Sequence, residues 1–145
     1  MFYECYKEIF ERARNAVPYE IGGFIIGYVT RWNNEFHVVI TGQVPVKSKS
    51  TRLTVEFLDK DAALTAETLD RLQRKGYYVV GWYHSHPGYS CYPSRIDLRS
   101  HITYFREFYH VGLIVDPIRN EACVFKALSK DDYILVPFYV WRKKQ

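Results

Sequence analysis

The sequence predicts a mixed α/β (α+β) fold in which helices cover one β-sheet. The length of 145 residues fits a single domain and leaves little room for two. The composition, 48% apolar and 25% charged with eight glycines and six prolines, is typical of a globular chain. Helical and strand-like hydrophobic patterns follow one another along the sequence. We therefore expect one layered domain over residues 1–145, without an internal repeat or a linker.

The first part of the chain predicts a helix followed by a hairpin. Apolar residues recur at helical spacing over residues 2–17, and Pro18 ends the pattern. A glycine-bounded apolar run covers 22–29, and a second run covers 36–40 after a turn-like pair of asparagines. Residues 45–57 form a polar connection that ends in alternating apolar residues, which indicates a loop with an edge strand.

The second part predicts two helices and four strands. An apolar stripe at helical spacing covers residues 58–75, and Gly76 stands where a helix C-cap is expected. The Tyr, Val and Trp content of 77–86 indicates a strand, and 97–108 returns to helical spacing. Three further strands complete the predicted sheet: 111–115, 121–128 and 133–141.

Charge and hydropathy exclude several classes of protein. The formal net charge is +4 and the aromatic share is 17%, but the basic residues are scattered, which argues against nucleic-acid binding. The longest apolar runs are far shorter than the roughly 18 residues that a membrane helix needs. The first residues are charged and helical where a signal peptide would be apolar. We therefore expect a soluble, cytoplasmic protein that binds neither membranes nor nucleic acids.

The three cysteines do not form a recognisable framework. Cys5, Cys91 and Cys123 are odd in number, far apart in sequence and without CxxC spacing. A secreted disulfide scaffold and a cysteine-rich zinc site are therefore both disfavoured. We expect Cys5 and Cys123 to be small buried apolar residues.

Two of the five histidines, His84 and His86, stand two residues apart at the end of a predicted strand. The period of two along a strand directs both rings to one face of the sheet. Pro87 then turns the chain, and Ser94 and Asp97 stand three residues apart where the next helix begins. A catalytic zinc site takes three nitrogen or oxygen ligands from the protein and leaves its fourth position to water. His84, His86 and Asp97 supply that number and type of ligand.

Peptide hydrolysis also needs a group that takes a proton from water and returns one to the leaving amine. Glu20 is the candidate, because it directly precedes the glycine-flanked strand over 21–29. Gly22 and Gly23 would let that strand pass close to other groups.

Each of these features also has a structural explanation. Ser94 with Asp97 has the spacing of a helix capping box, the histidine pair could be a solvated polar edge, and Glu20 could be a surface carboxylate. From typical residue frequencies, the joint pattern is expected by chance on the order of 10⁻⁵ times in a chain of this length. The combination therefore favours the metal site over coincidence.

The pattern matches a known protease motif. The pattern resembles the JAMM (MPN+, JAB1/MPN/Mov34) zinc metalloprotease motif, with no element missing. It consists of Glu20, then His84-Ser-His86-Pro, six residues, Ser94, two residues and Asp97. The segments YEIGGFIIG, VVGWYHSHPGYSCYPSRID and VGLIVDPIRN are similar to the branch of that family that contains proteasome-lid deubiquitinase subunits and their archaeal homologues.

This resemblance implies a single JAMM/MPN domain of cytidine-deaminase-like type, a curved mixed sheet flanked by helices. It implies that His84, His86 and Asp97 bind Zn²⁺. It further implies that Glu20 is the general base and acid and that Ser94 steadies the oxyanion. The reaction it implies is hydrolysis of the isopeptide bond between the Gly-Gly tail of ubiquitin, or of a ubiquitin-like modifier, and a lysine amine.

An extended Gly-Gly tail can add as a strand beside an exposed sheet edge. In the family this edge is the insertion after the second strand, which corresponds here to residues 48–55; an ordinary surface loop is the alternative. The residues expected to contact substrate are Ser48, Ser50, Thr51, Trp82, Tyr89 and Cys91. Trp82 could equally belong to the core, and no third partner of a Cys-His triad is evident for Cys91.

Three functions stay open from the sequence. The first is a free-standing zinc isopeptidase of prokaryotic or archaeal type, acting on ubiquitin or a ubiquitin-like modifier. The second keeps the chemistry and processes a sulfur-carrier protein, and the third is a non-catalytic MPN scaffold. Proteasomal relatives carry C-terminal helices, whereas the last predicted element here is a strand with a short basic tail. This difference argues against assembly into a proteasome lid and leaves proteasome association as an alternative.

Overall fold

The computed structural model describes residues 1–46 and 66–144 in full and residues 62–65 as backbone. The described residues form three helices and six strands. In chain order they are α1 (Tyr3–Ala16), β1 (Gly22–Trp32), β2 (Glu35–Val46), α2 (Ala62–Arg74), β3 (Tyr78–Ser85), α3 (Arg95–Tyr104), β4 (Val111–Asp116), β5 (Glu121–Ala127) and β6 (Tyr133–Val136). Among the described residues, no helix combines the length and the hydropathy that crossing a membrane requires.

The six strands form one mixed sheet in the order β2-β1-β3-β4-β5-β6. Four strand pairs are antiparallel, and only β3 and β4 run parallel to each other. Parallel neighbours need a crossover connection, and α3 lies in that connection. The predicted mixed α+β fold is therefore confirmed, and the carboxyl ends of β3 and β4 lie side by side.

Helix α1 packs its apolar face on the sheet. Its buried residues Cys5, Ile9, Phe10 and Ala13 recur at the spacing of one helical face. They belong to a core cluster that includes Ile25 and other residues of the central strands. Burying this stripe is what keeps a 14-residue helix folded in water, where it would be marginal on its own.

The contact between β1 and its neighbours depends on Gly23. A Cβ atom at this position would lie 2.3 Å from the carbonyl oxygen of Val44 on β2 and 2.7 Å from the ring of Tyr83 on β3. The expectation that glycine lets this strand pass close to other groups is therefore confirmed at Gly23. The tight approach accompanies a register in which Gly22 faces His84.

A second core cluster lies between α3 and the sheet. It contains Trp82 of β3, Leu98 of α3, the α3 C-cap Phe105, Ile114 of β4 and apolar residues of β5. Side chains in such a core are close-packed and have little freedom to move. The end of β3 and the start of α3 are therefore held against each other by this cluster.

Several element boundaries differ from the sequence prediction. The helix predicted over 97–108 is α3, which begins at Arg95 behind its Ser94 cap and ends at Tyr104. The strand predicted over 133–141 ends at Val136, because Pro137 has no N–H to continue the ladder.

The predicted hairpin and connection also changed in extent. Strand β2 continues to Val46, so the first residues of the predicted connection 45–57 belong to the sheet. The rest of that connection and the start of the helix predicted from residue 58 lie outside the described residues.

Candidate metal centre

His84 and His86 lie at the carboxyl end of β3 and directly beyond it, and both are buried. Their Nε2 atoms are 2.6 Å apart, which confirms the prediction that both rings point to one place. The backbone N–H of His86 donates to the carbonyl oxygen of Val115 at 2.8 Å. This bond extends the contact between β3 and β4 by one residue and fixes the His86 backbone.

Asp97 reaches the histidines from the first turn of α3. Ser94 is the N-cap of this helix: its Oγ accepts from the Asp97 N–H at 3.2 Å, and its own N–H donates to Asp97 Oδ2 at 2.6 Å. Asp97 Oδ1 lies 3.1 Å from His84 Nε2, and Oδ2 lies 3.4 Å from His86 Nε2. The capping box is therefore present, and it orients the same carboxylate that faces the histidines.

These three side chains fit a zinc ion. Zinc ligands at about 2.0–2.2 Å in a tetrahedron lie about 3.3–3.6 Å from one another. Each Asp97 oxygen lies near that distance from one histidine, Oδ1 at 3.1 Å from His84 Nε2 and Oδ2 at 3.4 Å from His86 Nε2. The two nitrogen atoms at 2.6 Å would have to part by about 1 Å or less. Among the described residues, this is the one group of His, Cys, Asp and Glu that could hold a metal ion.

The charges in the cluster support one another. Burial raises the pKa of Asp97, but the two histidines and the Ser94 N–H lower it more, so the net pKa is well below the usual range. Burial lowers the pKa of His86, yet Asp97 and Glu20 raise it more, and its net pKa is above the usual value. Asp97 is therefore an ionised carboxylate at neutral pH.

Glu20 is half-buried beside this cluster, in the position predicted for it just before β1. Its neighbour Ile21 donates its N–H to Ser85 Oγ at 2.9 Å and accepts the Ser85 N–H at 2.9 Å. Burial raises the pKa of Glu20, and the nearby His84 and His86 only partly offset this. A carboxylate with a raised pKa is a stronger base than an ordinary exposed one, which suits a group that accepts a proton from water.

The two histidine rings are oriented in different ways. His86 Nδ1 lies 3.2 Å from the carbonyl oxygen of Ser90, which can accept its proton. The His84 ring stacks on Trp82, with centroids 5.0 Å apart and planes 5° from parallel. Trp82 in turn donates its Nε1–H to Nδ1 of the buried His101 at 3.1 Å. The Ser90 contact decides which His86 nitrogen is free to bind a metal, whereas the stacking fixes only the plane of the His84 ring.

The structure corrects part of the expected substrate path. Trp82 is only 2% exposed and Cys91 9%, so neither side chain lines an open surface. Trp82 packs behind His84, which is the core role that the sequence left as an alternative. Tyr89 is 73% exposed on the loop after His86. Ser48, Ser50 and Thr51 lie outside the described residues.

All three cysteines are buried and free, which confirms the expectation for Cys5 and Cys123. The Cys123 thiol donates to the carbonyl oxygen of Cys91. Burial raises the pKa of Cys123, which keeps the thiol protonated at neutral pH.

Sequence reasoning missed the residues that support the cluster from behind. Ser85 stands between the two histidines, and its hydroxyl holds the residue after Glu20. Asp116 stands before Pro117, a pair typical of turns, yet its side chain is fully buried. His101 lies one helical turn after Asp97 on α3, and that spacing is the signal that could have placed it on the same face.

A pH dependence of stability follows from His101. Burial, together with the positive charges of His110 and Lys126, lowers its pKa to about 4, whereas an exposed histidine titrates at about 6.5. Between these two values the unfolded chain binds a proton that the folded chain does not, so the free energy of unfolding falls as the pH drops from about 6.5 to about 4. Above this range His101 contributes no pH dependence.

We expect His101→Gln to flatten this part of the pH profile, because glutamine can accept the Trp82 N–H and does not titrate. The measurement is the urea midpoint of both proteins from pH 7.5 to 4.5. Parallel profiles for the two proteins would show that His101 does not cause the decline.

Solved structures share this architecture. A protein from Desulfitobacterium hafniense, DSY2949, matches with a TM-score of 0.60 and 20% sequence identity, covering 100% of this chain and 94% of its own. The JAB1/MPN domain protein AF2198 from Archaeoglobus fulgidus matches with a TM-score of 0.59 and 21% identity, covering 97% and 94%. The fold is therefore that of a JAB1/MPN domain.

The sequence leads to the same class. Residues 4–108 match the family model described as JAB1/Mov34/MPN/PAD-1 ubiquitin protease, which is more than half of the chain. The chain belongs to this family.

Similar proteins include a subunit of the COP9 signalosome complex and a ubiquitin carboxyl-terminal hydrolase. COP9 signalosome complex subunit 5 of Eremothecium gossypii is 33% identical over 121 residues, which are 81% of this chain and 27% of that protein. The ubiquitin carboxyl-terminal hydrolase RPN11 of Saccharomyces cerevisiae is 28% identical over 116 residues, 78% of this chain and 36% of its own length. The chain thus spans about a third of the length of these relatives.

Proposed function

We propose that the chain is a single-domain zinc isopeptidase over residues 1–145. In this proposal His84, His86 and Asp97 hold the zinc ion. One observation carries it: a histidine-histidine-aspartate cluster, buried at the end of β3, has a half-buried carboxyl group beside it. Zinc held by three protein ligands acts as a Lewis acid and lowers the pKa of water to about 7.

Glu20 is the proton-transfer residue in this proposal. Its carboxylate takes a proton from the attacking water and passes it to the leaving lysine amine. Burial raises the pKa of Glu20, which supports this role because a carboxylate with a raised pKa is a stronger base toward the attacking water. Its backbone is held through Ile21 and Ser85, so the carboxyl group is carried on a fixed strand end.

Ser94 supplies the hydrogen bond to the developing oxyanion. Its Oγ accepts the Asp97 N–H as part of the helix cap, which leaves its own hydroxyl proton free for a second partner. The residue is exposed, so a substrate carbonyl can approach it. A donor placed in advance at such a position stabilises charge only as it forms.

We propose a modifier with a Gly-Gly tail, ubiquitin or a ubiquitin-like protein, as the substrate. The family description as ubiquitin protease and the ubiquitin hydrolase among the relatives support this class. A glycine tail has no side chains to clash with neighbouring residues, and residues 48–55 would pair with its backbone. The exposed Tyr89 would contact it near the metal. We propose a cytoplasmic location. We also propose association with a proteasome, because another relative is the 26S proteasome regulatory subunit RPN11 of Candida glabrata.

The test compares three substrates: a ubiquitin-lysine isopeptide conjugate, a conjugate of a prokaryotic ubiquitin-like modifier, and a sulfur-carrier fusion. Each is incubated with zinc-loaded protein, with chelator-treated protein, and with protein reloaded with zinc. Chelator-sensitive cleavage after the Gly-Gly of a modifier conjugate, restored by zinc, is the expected result. Cleavage of the sulfur-carrier fusion alone would assign the second function. A protein that binds no zinc and cleaves nothing would be a scaffold.

A further inference from the structure

Asp116, the last residue of β4, is fully buried and takes no part in the chemistry proposed above. Its carboxylate accepts four hydrogen bonds from backbone N–H groups. Oδ1 accepts from Gly88 at 2.9 Å, Ile118 at 2.9 Å and Arg119 at 3.1 Å. Oδ2 accepts from Ser90 at 2.8 Å. Burying a carboxylate is costly unless it is hydrogen-bonded in this way, and these bonds also fix the groups that donate them.

Two of the four donors lie in the loop that follows His86. Gly88 and Ser90 both have left-handed backbone conformations, with φ values of 79° and 71°. Glycine adopts this conformation freely, but serine does so only when its surroundings hold it there. Asp116 supplies that hold, because it binds the N–H of both residues. The conformation of this loop therefore depends on a carboxylate at the end of the neighbouring strand.

The loop returns to the metal centre at one atom. The carbonyl oxygen of Ser90 lies 3.2 Å from Nδ1 of His86 and can accept the proton on that nitrogen. A histidine that donates from Nδ1 keeps the lone pair on Nε2 free. Nε2 is the His86 atom that faces Asp97 and His84.

We propose that Asp116 is a positioning residue for His86: it fixes the Ser90 carbonyl, which holds the His86 ring with Nε2 directed at the metal. It does not touch substrate, and it acts through one loop residue. Supporting contacts of this kind typically change metal affinity or activity by about 10- to 100-fold. The catalytic consequence rests on the proposed function, whereas the ring orientation can be measured without it.

Asp116→Asn is the sharpest variant, because it separates the two carboxylate oxygens. The amide oxygen can keep the three donors now on Oδ1, and the opposite orientation would place an NH₂ group against all three. The NH₂ group therefore faces the Ser90 N–H and the Arg119 side chain. The Ser90 hydrogen bond is lost, together with the longer contact from Arg119 Nε to Oδ2 at 3.7 Å, which lies on a half-exposed side chain. The change preserves side-chain shape and burial.

We expect Asp116→Asn to bind zinc about 10- to 100-fold more weakly in chelator competition. On modifier conjugates we expect kcat to fall while KM stays near the wild-type value, because Asp116 does not contact substrate. In the ¹H–¹⁵N spectrum of the histidine rings, the wild-type His86 should carry a slowly exchanging proton on Nδ1. The variant should lose that signal. A role in stability alone would lower the melting temperature without moving these readouts.

Glu121→Gln is the matched control. Glu121 Oε2 accepts the Ser90 hydroxyl at 2.9 Å from the exposed side of the same loop, so the variant weakens a contact to the side chain of Ser90 and leaves the backbone bond to Asp116 intact. We expect its zinc affinity to lie within about twofold of the wild-type value. Losing a supporting contact would lower the affinity by about 10-fold or more.

Zinc affinity within twofold of the wild type in Asp116→Asn, with the His86 signal retained, would overturn the inference. If that variant does not fold, a wild-type His86 ring with its proton on Nε2 would overturn it equally. A wild type that binds no zinc would refute the proposed function, and the His86 signal of the metal-free protein would still test the positioning.

Discussion

Glu20→Gln should abolish turnover and leave zinc binding intact. Glutamine has nearly the same shape as glutamate, but it cannot accept a proton at neutral pH. Because Glu20 is not one of the three grouped side chains, its loss should not change the metal site. General acid and base roles each contribute about 10²- to 10⁴-fold to the rate, so we expect kcat to fall by at least about 10³-fold.

The measurement for this variant is kcat on a modifier conjugate, with zinc content determined on the same sample. Glu11→Gln is the matched control, since Glu11 is an exposed carboxylate on α1 that pairs only with Lys7 in the described contacts. It should retain wild-type turnover. Normal turnover in Glu20→Gln would show that another group carries the proton.

His86→Ala should lose zinc and activity together. The change removes one of three ligands and also leaves the buried Asp97 carboxylate with one histidine fewer to balance its charge. We expect zinc affinity to fall by more than about 100-fold, beyond the effect of losing a supporting contact. At a zinc concentration that fully loads the wild-type site, the variant should show no activity.

His37→Ala is the control for His86→Ala. His37 lies on β2 opposite Thr30, far along β1 from the Gly22 that faces His84. Both variants remove one imidazole, but only His86→Ala should change metal content, measured by elemental analysis after dialysis. A His86→Ala protein that keeps one zinc ion per chain would place the metal elsewhere.

The cluster of three side chains could be predicted from the sequence because short-range geometry determines most of it. A spacing of two on a strand directs His84 and His86 to one face. The capping-box spacing fixes how Asp97 leaves the first turn of a helix. The site also requires α3 to start beside the end of β3. This follows because α3 lies in the crossover that joins β3 to its parallel neighbour β4.

The supporting residues could not be predicted in the same way, because their roles depend on contacts between distant parts of the chain. Trp82 lies on β3, a strand that is buried on both faces. Because apolar and polar residues do not alternate along such a strand, the sequence does not show which face Trp82 packs on. Asp116 lies 30 residues after His86, and only the pairing of β3 with β4 brings its carboxylate to the loop. The last strand also ends earlier than predicted, because Pro137 has no backbone N–H to donate to the neighbouring strand.

Zinc content and conjugate cleavage, measured on the same samples, test directly whether this chain is a zinc isopeptidase. Wild type and Glu20→Gln are each assayed with and without chelator on a Gly-Gly-linked ubiquitin-like conjugate. We expect one zinc ion per chain in both proteins, cleavage by the wild type alone, and loss of that cleavage with chelator. Cleavage that persists without zinc, or a wild type that binds no zinc, would contradict this assignment.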